Sequence, residues 1–163
     1  MKHTSNFLSS SAFFAPPRLR VRILQLIFFF LLASAAFAQT ADQIESLLNT
    51  NAVTYAQAAR FILTAADVTA TDGFEYAAQQ KWLPKKAAAD DPARLDGIAL
   101  LVMRSFDIKG GIWYSIVKSP HYAYRELVYQ DIIQGRIDPA MPVSGDALLY
   151  MCNRVFSQIE EGN

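Results

Sequence analysis

This chain has little from which to build thiol or metal chemistry: one cysteine and two histidines in 163 residues. The lone Cys152 excludes an intramolecular disulfide, so a domain of this size must be held by its packing. One histidine with one distant cysteine is no cluster of metal ligands, and no metal or other cofactor is expected. No serine–histidine–carboxylate set has a spacing that points to a triad, so no catalytic residue is assigned. Neither G-x-G-x-x-G nor G-K-[ST] occurs, which leaves no phosphate-binding loop. No segment alternates with period two for long enough to compete as a strand. The longest apolar run, Ile23 to Ala33, is about half of the roughly 20 residues a membrane-crossing helix needs.

That run has the flanks of a secretory signal peptide. Arg18, Arg20 and Arg22 precede it, and the small residues Ala36-Phe37-Ala38 follow it. Residues 1–38 are expected to be a leader cut after Ala38. The protein is then secreted or periplasmic, with no stable membrane span after cleavage. Four of the 15 basic residues lie in the leader and none of the 15 acidic ones does, so the remainder is net acidic. This excess of acid argues against nucleic acid and against electrostatic attachment to anionic lipid.

Residues 39–163 read as a single all-α domain, a small bundle of about six short helices. Thr40 with Gln43, and Thr54 with Gln57, are capping-box patterns. Asp91-Pro92 and Ser119-Pro120 each read as cap plus first-turn proline. Gly135 suits the left-handed residue just past a helix end, and Ser144 is placed to cap the last helix. Leu95, Ile98, Ala99, Val102 and Phe106 form one apolar stripe; Leu148, Met151, Cys152, Val155 and Ile159 form another. Cys152 therefore reads as a small buried apolar residue.

The chain repeats itself. Leu95 to Phe106 matches Gly145 to Phe156 at a shift of fifty positions, with Asp96 on Asp146, Arg104 on Arg154 and Phe106 on Phe156. The same shift lays Trp82-Leu83 on Ile132-Ile133 and Pro92 on Pro142. A third start of this kind lies at Val53-Thr54. Repeats of this length point to stacked supersecondary units that share a core. They fall near residues 53–106 and 112–159.

Asp131-Ile132-Ile133-Gln134-Gly135, then Asp138-Pro139 and Val143-Ser144-Gly145-Asp146, resemble the turn and helix start of the S-layer homology domain. Gln80-Lys81-Trp82-Leu83-Pro84 with Asp91 to Asp96 is a degenerate copy. The resemblance covers about two and a half units. It implies a helix–loop–helix repeat architecture and a role in the cell envelope. The family holds wall polysaccharide through an arginine in its "[ST]-R-A-E" start; here Tyr55, Leu95 and Gly145 stand in that place, so its sugar contacts are not carried over.

Function is expected to lie in contact. Trp113, Tyr114, His121, Tyr122, Arg125 and Tyr129 are the candidate ligand- or partner-binding residues. Rings beside a guanidinium stack on sugars or anchor proteins, and rings at this density also fill cores. The leading reading is an exported, non-catalytic envelope protein that binds cell-wall polysaccharide or another envelope protein. The second is a docking subunit of a larger periplasmic assembly with no glycan binding.

Overall fold

A computed structural model describes residues 44–135 and 137–161. The expected leader and the Thr40–Gln43 cap lie outside the described residues. Among the described residues seven helices follow one another: α1 (residues 44–48), α2 (Tyr55–Ala65), α3 (Gly73–Gln79), α4 (Leu95–Ser105), α5 (Ile112–Ile116), α6 (Pro120–Tyr129) and α7 (Gly145–Glu161). The domain is all-α; among the described residues there is no strand, only two isolated bridges, Thr54 with Pro92 and Arg94 with Pro142. Among the same residues no helix is long and apolar enough to cross a membrane.

Three extended segments meet at the centre of the fold. The Val53 N–H donates to the Val143 carbonyl (2.8 Å), the Val143 N–H to the Ala93 carbonyl (2.9 Å), and the Ala93 N–H to the Val53 carbonyl (2.7 Å). The three bonds close a ring, and all three residues are buried. Buried backbone must pair its polar groups, and without a sheet this ring does so. Two residues beyond each member a helix begins: α2 at Tyr55, α4 at Leu95, α7 at Gly145. The unpaired N–H groups of those helix starts are taken by the neighbouring loop. Tyr55 and Ala56 donate to the Asp91 and Ala89 carbonyls, Leu95 and Asp96 to those of Met141 and Pro139, and Gly145 to that of Thr50.

Backbone geometry also recurs at the helix ends, in pairings of its own. α2 and α4 both end with an aspartate at positive φ, Asp67 (56°) and Asp107 (49°). α3 and α6 both end with a left-handed residue, Lys81 (59°) and Asp131 (60°). At each of the four ends the next N–H bonds back into the last turn: Val68 to Leu63, Trp82 to Ala77, Ile108 to Met103, Ile132 to Leu127. This is the Schellman closure with a non-glycine residue at its left-handed position. The α2–α3 and α4–α6 pairs are equivalent units, and α5 is an insertion in the second.

α4 lies between α2 and α6. Leu95 and every residue from Gly97 to Met103 are buried, so its sequence stripe understates its burial. Around it pack Ile62, Leu127, Ile132 and Leu148, all fully buried. Cys152 is buried in the same cluster, and loss of solvent pushes its thiol up to about 12.

Several local expectations are met and several are corrected. The Thr54–Gln57 box is present in both directions (3.3 and 3.0 Å). Ser119 caps α6 with Pro120 in its first turn. Asp91 does not cap α4, which begins at Leu95 after Arg94. Its carboxylate accepts from the Ala88 N–H (3.1 Å) and closes the preceding turn, because residues 92–94 are held extended by the central ring. Gly135 has positive φ, but Asp131 terminates α6. The last helix, α7, includes the acidic pair Glu160 and Glu161.

Candidate functional site

The site is the inserted helix α5 and the outer face of α6. The chain leaves α4 through the Asp107 turn and reaches Gly110-Gly111. Gly110 is required by Tyr114: a Cβ there would lie 2.6 Å from the tyrosine ring. Tyr114 thus folds inward and is 5% exposed. The other side of α5 turns outward, with Ile112 77%, Trp113 68% and Ile116 70% exposed, and Val117 beyond them. Positions 112, 113, 116 and 117 share one helical face. This helix is amphipathic with its apolar face to solvent, the reverse of a core helix.

α6 is ordered by the Ser119 cap, whose hydroxyl accepts from the Tyr122 N–H (3.5 Å), and by Ala123 and Leu127 in the core. This register leaves His121, Arg125 and Tyr129 exposed on one stripe. The Trp113 and Tyr122 rings lie nearly parallel (13°) with centroids 6.5 Å apart. The His121 ring meets Tyr122 edge-on at 5.3 Å. The two helices are tied where the Gln130 side chain donates to the Lys109 carbonyl (3.1 Å) and to Glu126 (3.0 Å).

Of the six candidates, Trp113, His121 and Tyr122 are brought together. Arg125 and Tyr129 lie on the adjoining exposed stripe of α6, with no ring contact to the cluster. Tyr114 leaves the surface set, because it is the residue that anchors α5 to the core. Sequence reasoning missed Ile112 and Ile116. The usable signal was the Gly-Gly pair ahead of a helix too short to contribute a core stripe.

Beside α5 lies a cleft of about 350 Å³, lined by Arg104, Asp107, Lys109, Tyr114, Ser115 and Lys118. The Tyr114 hydroxyl is buried and has no hydrogen-bond partner. Burial raises its pKa above the usual phenol value, and the Arg104 charge acts in the opposite direction. A second groove, of about 590 Å³, includes Lys81, Lys85 and Lys118 in its lining and no acidic residue.

No protein family, curated protein or solved structure matches this chain.

Tyr55, Leu95 and Gly145, the first residues of α2, α4 and α7, face inward. Tyr55 and Leu95 are buried, the Tyr55 hydroxyl accepting from the Arg94 N–H (3.3 Å). Gly145 is buried under the Leu47 carbonyl. None of the three can present a group to a ligand. Of the paired arginines, Arg154 reaches a carbonyl across a helix junction, that of Asp131 (3.3 Å), whereas Arg104 borders the α5 cleft. Among the described residues no three metal-ligating side chains lie together.

Proposed function

We propose that this protein is an exported, non-catalytic contact domain of the cell envelope, and that it docks through the α5–α6 face. The observation that carries the reading is the orientation of α5, which sets Ile112, Trp113 and Ile116 into solvent. A helix that only bridged α4 to α6 would turn those side chains inward, since burying them is favourable. Contiguous exposed apolar surface is the usual mark of a partner site. The backbone repeat supports an architecture like that of S-layer homology domains, and the basic and apolar leader pattern supports export.

The apolar partner is favoured over a glycan. Sugars offer hydroxyls along with their flat faces, and Ile112 and Ile116 have nothing to exchange with them. A glycan reading keeps one observation of its own, the near-parallel Trp113 and Tyr122 rings, which could flank a sugar face.

Co-sedimentation with isolated envelope tests the proposal. The protein should be retained, and Trp113→Ala with Ile116→Ser should release it without changing its circular dichroism. Retention of that variant at wild-type level would refute the docking face. Retention on insoluble wall stripped of lipid and protein, lost on Trp113→Ala alone, would move the reading to glycan.

A further inference from the structure

We propose that α5 and the cleft beside it form a docking site for an anionic phospholipid surface, α5 entering the headgroup–acyl boundary and the cleft receiving a lipid phosphate. The proposal rests on the docking reading and names its partner.

The shape favours a bilayer. Three large apolar side chains are exposed by two-thirds or more within five residues, so α5 offers them together to whatever lies against it. A helix of five residues offers a protein partner little area to bury, but it suits an interface into which side chains can sink. Its composition fits as well: tryptophan prefers the headgroup level, and isoleucine the acyl region below it.

The charges around α5 are complementary to such a surface. Arg104, Lys109 and Lys118 line the cleft against one acid, Asp107. Lys118 also lines the neighbouring groove with Lys81 and Lys85, where no acid stands. The ion pair present among the described residues is Arg94 with Asp96, elsewhere in the fold, so these cations are not spent internally. The net acidity of the chain is an average, whereas a membrane within a Debye length responds to the local face. Glu126, near Gly111, is the other acid at the base of α5, and it is engaged by Gln130.

The Tyr114 hydroxyl supplies an independent observation. It is a buried polar atom with no partner, carried by a residue that lines the cleft, in a fold that otherwise leaves only Asp96 Oδ1 in that state among the described residues. Such a group costs free energy unless something fills the site. A phosphate oxygen held by Arg104 and Lys109 would accept a hydrogen bond from this hydroxyl once the ring turned toward the cleft.

Flotation on vesicles tests this, with the protein as cells make it and every variant sharing the same N-terminal segment. It should float with phosphatidylcholine vesicles containing phosphatidylglycerol and not with phosphatidylcholine alone. In a Trp82→Phe background, Trp113 emission should shift to the blue on binding. Ile112→Ser with Ile116→Ser should reduce partitioning by about tenfold or more, and Lys109→Gln with Lys118→Gln by about tenfold, each with unchanged helical content. Failure to float, or flotation that neither pair reduces, overturns the proposal. If flotation fails while envelope co-sedimentation still depends on Trp113 and Ile116, the face belongs to a protein and the docking reading stands; if neither depends on them, both fall.

Discussion

The Leu47 carbonyl lies directly over the Cα of Gly145, so that a Cβ at Gly145 would fall on it. This contact joins α1 to the start of α7, where the Gly145 N–H donates to the neighbouring Thr50 carbonyl (2.9 Å). Gly145 is the first residue of α7. Its absence of a side chain lets α1 cover a helix start that would otherwise be open. Gly145→Ala should therefore destabilise the fold by about 1–3 kcal/mol, the range for overpacking a tight site. Thermal melting measures this, and an unchanged midpoint would mean that α1 is not seated there.

Tyr55 and Gly97 form a second such pair. A Cβ at Gly97 would lie 2.5 Å from the Tyr55 hydroxyl and 2.9 Å from its ring. Tyr55→Phe should cost about 1 kcal/mol, because the Arg94 N–H loses its acceptor. Gly97→Ala should cost about 1–3 kcal/mol by crowding the ring. The double variant should cost less than the two together, since removing the hydroxyl relieves the nearest clash. A double-mutant cycle by urea unfolding checks the coupling; strict additivity would place the ring elsewhere.

Three buried acids point to alkaline lability. Burial raises the Tyr55 and Tyr114 hydroxyls above the ordinary phenol value and takes the Cys152 thiol to about 12. For each, the unfolded chain loses its proton first. The stability these groups contribute is then complete below the unfolded values and declines as pH rises from about 9 toward 12. A series of melts from neutral to alkaline pH should show the midpoint falling in that window, and Cys152→Ala should flatten part of the slope. The same burial makes the thiol inert: a maleimide should label Cys152 readily only after unfolding. Fast labelling of the native protein would contradict its place in the core.

The left-handed helix ends offer a stabilising change. Lys81 holds φ at 59° with its backbone inside the closure that follows α3. A lysine there bears steric strain that glycine lacks. Lys81→Gly should raise stability by up to about 1 kcal/mol, and the gain should be smaller at Asp131, because aspartate tolerates this conformation better. A loss of stability at Lys81 would show that its side chain packs in a way that offsets the strain.

The pattern of apolar spacing made most of the fold legible. Stripes such as Leu148, Met151, Cys152 and Val155 mark helices because one face must be buried, whatever it packs against. The Thr54 and Ser119 caps could be read locally for the same reason: their bonds close within four residues. Asp91 was misread because its neighbours are extended by partners far along the chain. The candidate site divided in the same way. Aromatic density drew attention to residues 113–129, but density does not tell Tyr114, which points in, from Trp113, which points out.

Sequence alone determined that this is a helical chain with a repeated unit, one buried thiol and a leader-like front, because each of those properties follows from composition or from spacing within a turn or two. Tertiary structure decided the ring of Val53, Ala93 and Val143, the burial of the first residues of α2, α4 and α7, and the outward turn of α5. Those depend on which backbone groups meet across forty or more residues and on which side of a short helix finds room inside, and neither is encoded in a local pattern.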